Sequence, residues 1–223
     1  MIPSLAEKLE GVILKYQATA PSAAVPEWIL PPLSCAFLES AAAVLPVPLN
    51  AFEFGSGRST HALRRVSSQT TSVENSAEWL DRTENGESAR RATDYCAVIP
   101  LQRCWNRTRL IESFDVESRP EVLSRLRQSH LILVDSPPNP AKREHALFLA
   151  LRHAPINAVI VLDDLEVRAV SRFASRLAQQ NAARFRFWKL NIDHQLGVFL
   201  KVRTGRIRSI PTPREFLGTW MRA

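Results

Sequence analysis

Between residues 50 and 202 the chain alternates short apolar runs with segments whose apolar residues recur every three or four positions. Side chains alternate across a strand and repeat every 3.6 residues on a helix, so the first pattern predicts strands and the second helices. Strands are expected at residues 50–54, 70–73, 95–99, 131–134 and 158–162, then at 185–190 and 197–202. Residues 131–134 and 158–162 are unbroken apolar runs, as expected for central parallel strands covered on both faces. Helices are expected at 59–66, 76–82, 119–130, 139–153 and 165–181. Pro120 stands in the first turn of one, and the pair Asn139-Pro140 reads as the cap and first turn of the next. In the last, Val167, Val170, Phe173, Ala174 and Leu177 make one apolar face. Residues 83–91 are polar and read as a loop, and Cys104, Trp105, Leu110 and Ile111 fit a short helix, a hairpin or a flap.

Before this region, Leu5, Leu9, Val12, Ile13 and Tyr16 predict an amphipathic helix. Residues 18–26, rich in Ala, Pro and Ser, read as a connector. Residues 34–44 predict a second helix, with Phe37, Leu38 and Ala42 buried and Pro46 and Pro48 stopping it. Trp28 reads as a packing anchor or an acceptor contact. After residue 203, Thr212 with Glu215 forms a capping-box pattern opening a last helix with Phe216, Leu217 and Trp220. Arg203, Arg206 and Arg208 make the densest basic patch. The expected division is an N-terminal helical extension over 1–49, one ligand-binding domain over 50–202 and a basic tail over 203–223.

Strand–helix alternation over residues 50–182 argues for a parallel α/β sheet, and ligands of such sheets sit at the carboxyl ends of the strands. Four expected strands end there in or beside acids: Glu53, Glu74, Asp135 and the pair Asp163-Asp164. The first is followed by Gly55 and Gly57, which permit a turn that brings backbone N–H groups and a helix N-terminus against a ligand. Ser59 and Thr60 are candidate caps for the helix. Glu74 lies 17 residues after Gly57, near where a βαβ nucleoside site places the acid that takes both ribose hydroxyls.

Composition narrows the setting. The chain has 223 residues with 45% hydrophobic content, enough for a sizeable core. No apolar run reaches the roughly 18 residues that span a bilayer, and Met1-Ile2-Pro3-Ser4 lacks a basic start before an apolar core, so no membrane span and no secretory signal are expected. Cys35, Cys96 and Cys104 are odd in number and without C-x-x-C spacing, which points to a reducing, cytoplasmic setting rather than a disulfide framework or zinc site. Net charge is +7, but the arginines are scattered without a run of five or six, which reads as a solvated surface and disfavours a nucleic-acid partner.

The segment Glu53-Phe54-Gly55-Ser56-Gly57-Arg58-Ser59-Thr60, with Glu74-Asn75-Ser76-Ala77-Glu78-Trp79 after the second strand, resembles the class I S-adenosylmethionine-dependent methyltransferase family. That family's first motif is an acid followed by x-Gly-x-Gly; the third glycine often found two residues on is Ser59 here. The resemblance covers about residues 50–202 and implies a Rossmann-like, mostly parallel seven-stranded sheet with helices on both faces and an antiparallel last strand. It implies S-adenosylmethionine as cofactor, contacted by Glu53, Gly55, Ser56, Gly57, Ser59, Thr60, Glu74 and Asn75, with Ser59 and Thr60 at the methionine end. It also implies that the N-terminal segment packs over the site and helps choose the acceptor.

Methyl transfer is an in-line displacement from a sulfonium, so the enzyme must align a nucleophile and remove its proton. Asp135, Asp163 and His145 are the candidate catalytic residues. In catechol-type relatives a Mg²⁺ is held by an Asp after the fourth strand and an Asp-Asn pair after the fifth; Asp135, Asp163 and Asp164 are similar in position, with Asp for Asn. These acids can hold such an ion, act without one as base or orienting group, or only cap helices. His61 stands near the glycine turn, while His130, His153 and His194 read as structural or exposed, and Arg143 as a surface residue or a partner for an acidic acceptor. Asp135-Ser136-Pro137-Pro138 departs from the Asn/Asp-Pro-Pro-aromatic signature of amino-group methylation. The expected activity is O-methylation of a small polar or sugar-like acceptor, including an anionic one. The alternatives are a non-catalytic scaffold that keeps the fold and, more distantly, a dinucleotide dehydrogenase, against which Thr60 stands where its third glycine belongs.

Overall fold

The computed structural model describes residues 3–18, 30–85, 90–106 and 109–207. Trp28, the connector, the capping box at Thr212 and Arg208 lie outside them. The elements run α1 (Leu5–Gln17), α2 (Pro32–Ala42), β1 (Asn50–Phe54), α3 (Arg58–Val66), β2 (Gln69–Glu74), α4 (Ala77–Glu84) and β3 (Tyr95–Val98). Then follow β4 (Leu101–Asn106), β5 (Arg109–Phe114), α5 (Pro120–Gln128), β6 (Leu131–Val134), a 3₁₀ turn (Pro140–Lys142), α6 (Glu144–His153), β7 (Val159–Leu162), α7 (Arg168–Gln180), β8 (Phe185–Asn191) and β9 (Gln195–Lys201).

Seven strands form one sheet in the order β3-β2-β1-β6-β7-β9-β8. Neighbours from β3 to β7 pair in parallel, and β9 is antiparallel to both β7 and β8. The chain order reverses between β1 and β6, the switch point where α/β sheets bind ligands. Residues 101–114, which the sequence left between three readings, form the hairpin β4–β5 as a separate two-stranded sheet.

Alternation along the strands builds two cores. Phe52 and Phe54 join Ile132, Val134, Ile160, Leu162 and Phe199 against α5, α6 and α7. Ala51, Leu131, Leu133, Val159, Val161 and Val198 point the other way and pack against α1, α2 and α3. The N-terminal extension therefore shares the sheet's core. Ser4 and Glu7 close a reciprocal cap on α1. For α2 no residue of its own supplies a side-chain cap; Asp193, from the β8–β9 turn, accepts from Leu33 N (2.8 Å) and Ser34 Oγ (2.7 Å) instead. At the far end of α6, buried Lys201 donates from Nζ to the carbonyls of Leu151, Arg152 and Ala154 (2.6–3.2 Å), capping that helix with a cation.

Two boundaries correct the sequence reading. The helix expected from Asn139 begins only at Glu144, because Lys142 N and Arg143 N close three-residue turns onto Asn139 O and Pro140 O. The helix expected from Leu165 begins at Arg168. Leu165 N is drawn to Gln195 O of β9, and Asp164 takes a left-handed φ of 59° that an α-helix does not accommodate.

Candidate active site

At the carboxyl ends of β1, β2, β6 and β7 lies a cavity of about 820 Å³, a volume suited to a cofactor-sized ligand. Gly55, Ser56, Glu74, Asn75, Ser76 and Trp79 line one end; Asp135, Arg143, Asp163, Asp164, Glu166 and His194 line the other.

Geometry explains the glycine turn. Gly55 has φ 95°, and a Cβ there would stand 2.9 Å from Ser136 Cβ, so the ends of β1 and β6 approach too closely for any side chain. The turn is locked on two sides. Above it, Glu74 accepts from Ser56 N (2.9 Å), Asn75 N (2.6 Å) and Ser76 N (3.0 Å), and Trp79 Nε1 donates to Ser56 O (2.5 Å). Below it, Glu53 lies fully buried on the α3 face of β1 and accepts from Ser59 Oγ (2.9 Å), Thr60 Oγ1 (2.5 Å) and Ser72 Oγ (2.6 Å). Thr60 Oγ1 in turn accepts from Gly57 N at 2.9 Å. Burial pushes the Glu53 carboxyl up to about 7, against the pull of the three hydroxyls.

These contacts separate the residues grouped by the sequence reading. Gly55, Ser56, Glu74 and Asn75 line the cavity; Glu53, Gly57, Ser59 and Thr60 do not. Of the expectation that Ser59 and Thr60 cap α3 and meet the methionine end, one part stands: Thr60, at the third position of the helix, accepts from the N–H of the N-cap residue Gly57. The rest is corrected: α3 starts at Arg58, so both lie inside its first turn, and their hydroxyls face Glu53. Ser59 thus stands where a third glycine is common because it is a ligand of the buried acid.

At the other end the acids meet two cations. Arg143, 5% exposed, pairs with Asp135 Oδ1 (3.1 Å) and Asp164 Oδ2 (2.6 Å) and donates from Nε to Pro137 O (3.0 Å). His194 Nδ1 lies 3.5 Å from Asp163 Oδ1 and 4.0 Å from Asp164 Oδ1. Asp163 holds the imidazole's pKa up at about 9 against the opposing effect of burial. Burial, reinforced by the Asp163 carboxylate, pushes Asp164 up to about 6 and raises Asp135 well above the carboxylate range. The left-handed Asp164 is the strained residue of this cluster, and it follows Asp163 at the point where β7 meets the cavity.

His145 is not among these groups. It faces away on α6, with Nδ1 2.5 Å from Ser113 Oγ and its ring against Phe148, and burial lowers its pKa. The histidine at the acids is His194, which the sequence reading left as structural. It arrives through the β8–β9 turn, about thirty residues after β7, and no local motif announces it. Arg143, expected at the surface or against an acidic acceptor, and Trp79 of the motif after β2 also line the cavity.

The three-acid metal set does not fit. The Arg143 guanidinium bridges Asp135 and Asp164, so their oxygens converge on a cation the chain already supplies. Among the described residues, the group with His and carboxylate atoms within 4.8 Å of one another is Asp163, Asp164 and His194, and there the imidazole faces the acid as an ion pair.

The solved structures decide the fold. An O-methyltransferase of Bacillus cereus, solved with S-adenosylhomocysteine, superposes with TM-score 0.54 at 17% identity over 90% of this chain and 93% of its own. The Streptomyces achromogenes O-methyltransferase TomG, of tomaymycin synthesis and solved with S-adenosylmethionine, gives 0.52 at 12% identity over 91% and 92%. The chain has the Rossmann-like methyltransferase fold. A methyltransferase of Podospora anserina with bound S-adenosylhomocysteine shares it as well, at TM-score 0.53 and 14% identity over 91% of this chain and 89% of that one. No family model and no curated protein matches the sequence.

Proposed function

We propose that the protein is an S-adenosylmethionine-dependent methyltransferase acting on an oxygen of a small polar acceptor. One observation carries the reading: a single cavity at the switch point joins a glycine turn and acid suited to an adenosyl ligand to a cluster suited to proton removal. Relatives in fold that hold S-adenosylmethionine or S-adenosylhomocysteine support it. In this reading Glu74 faces the ribose, Gly55 and Ser56 lie along the cofactor, and Trp79 supports the turn beneath it.

The acceptor oxygen attacks the sulfonium methyl. The O–CH₃ bond forms, the S–CH₃ bond breaks, and its electron pair stays on sulfur as a thioether. The acceptor's proton goes to Asp135, whose pKa is raised by burial and by the neighbouring Asp163 carboxylate, which makes it a stronger base than an ordinary carboxylate. Protonated His194, held by Asp163, donates to the acceptor and orients it. Arg143 fixes the Asp135 carboxylate. Four carboxylates, Asp135, Asp163, Asp164 and Glu166, stand against Arg143 and His194, which favours a hydroxyl-bearing acceptor over an anionic one. No step in this scheme needs a metal ion. A scaffold that had lost activity would have no need of so many mutually compensated charges, with Arg143 and Asp163 buried among them, at one cavity.

The test is a screen of hydroxylated acceptors against S-adenosyl-L-[methyl-³H]methionine, repeated with Asp135→Asn. The reading expects label transfer, with the variant losing on the order of 10²–10⁴-fold in kcat while its affinity for S-adenosylhomocysteine is unchanged. Full activity in Asp135→Asn refutes the assigned base.

A further inference from the structure

The net positive charge is confined to one end of the chain. Residues 1–166 carry 17 Lys/Arg against 20 Asp/Glu, whereas residues 167–223 carry 12 against two, Asp193 and Glu215. Asp193 is spent capping α2. Along the sequence the arginines look scattered, but the register of α7 gathers them. Arg168, Arg172 and Arg176 are spaced by four and form one row on the helix; Ser171, Ser175 and Gln179 form the row beside it. The two rows line a shallow groove of about 420 Å³ that contains no acid.

Lys189 of β8 joins them, donating from Nζ to Ser171 Oγ at 3.2 Å. Arg176 pairs with Glu144, but Arg168 and Arg172 are exposed and have no ion-pair partner among the described residues. Guanidinium, ammonium, hydroxyl and amide groups in a row are the donor set used on backbone phosphates. A step of four residues advances about 6 Å along a helix, so the row presents its cations at regular intervals, as a repeating polyanion would require. A bilayer surface fits less well. Among the described residues the large exposed apolar side chains are Leu14, Val47, Val98 and Ile156, none on α7 or β8, so this face offers nothing to insert between lipids.

We propose that the outer face of α7, with Lys189, docks the phosphate backbone of a nucleic acid, probed below as RNA. The face is separate from the cavity, although α7 starts directly after the cavity residues Glu166 and Val167. Docking there does not depend on which acceptor is methylated.

Fluorescence anisotropy with a fluorescein-labelled 20-nucleotide mixed-sequence RNA tests this on the full chain, between 50 and 200 mM salt. Vesicles of phosphatidylcholine with phosphatidylserine form a second arm. The expected result is RNA binding that weakens with salt, without vesicle binding. Arg168→Gln/Arg172→Gln should weaken binding at 50 mM salt and flatten the slope of log K against log salt by about 0.7 per lost contact. The control pair Arg119→Gln/Arg127→Gln, exposed residues at the start and end of α5, should keep the wild-type slope. Equal losses in both pairs, an unchanged slope in the α7 pair, absence of RNA binding at 50 mM salt, or binding to vesicles alone would each overturn the proposal.

Discussion

The buried carboxyl under the glycine turn can be tested through stability alone. Glu53 is fully enclosed and accepts from three hydroxyls, and burial outweighs both their pull and that of the nearby Arg64 charge. Its pKa of about 7, against an ordinary 4.5, makes the folded state the stronger proton binder. The sign follows from linkage. The stability this group contributes is fully present below pH 4.5 and is lost as pH rises through 7. At 1.36 kcal/mol per unit the loss is on the order of 3 kcal/mol across that window. Glu53→Gln keeps the shape and removes the titration. It also places an NH₂ where a carboxylate oxygen accepts hydroxyls, which costs about 1 kcal/mol through one lost hydrogen bond. Urea unfolding of both proteins at pH 5, 6, 7 and 8 measures the difference, in which every other titrating group cancels. The variant should be the less stable at pH 5 and should equal or exceed wild type at pH 8. Parallel stability curves from pH 5 to 8 would refute the assignment of a titrating Glu53.

Further expectations follow from named contacts. Gly55→Ala should fold poorly or lose cofactor affinity at least tenfold by calorimetry, since it forces a Cβ to 2.9 Å from Ser136 at a φ of 95°. Asp193→Ala removes both hydrogen bonds at the start of α2, costing roughly 1 kcal/mol and about 2–4 °C in Tm; by loosening the turn that carries His194 it should also lower kcat while leaving cofactor affinity intact. Dialysis against EDTA should leave methyl transfer unchanged, because Arg143 occupies the position between Asp135 and Asp164; activity restored only by Mg²⁺ or Mn²⁺ would contradict this.

The parts of the fold legible in the sequence are those whose signals are local. Phe52 and Phe54 alternating with Ala51 and Glu53 define β1, and Gly55 marks its turn because nothing larger clears Ser136. The unbroken runs at 131–134 and 159–162 similarly announce the covered centre of the sheet. Errors arose where a distant partner outvotes local preference. Asn139-Pro140 is a good helix start taken alone, but the chain spends those residues on a 3₁₀ turn, and the helix starts only after Arg143, which reaches back to the acids. Leu165 is held by β9 rather than by a helical turn. The site shows the same division: Glu74 and the strand-end aspartates could be read from spacing, whereas His194 and Asp193 depend on how a hairpin returns to the sheet. Glu53 and Ser59 carried a motif whose chemistry could be recognised, but only packing shows that both face inward.

The central claim is that an adenosyl cofactor occupies the cavity beside Glu74 and Trp79. Isothermal titration of the protein with S-adenosylhomocysteine, alongside Glu74→Ala, tests it most directly. The account predicts saturable binding at one site, at least tenfold weaker in the variant. Absence of heat with S-adenosylhomocysteine and S-adenosylmethionine up to high micromolar concentration, in a protein shown to be folded, would contradict it.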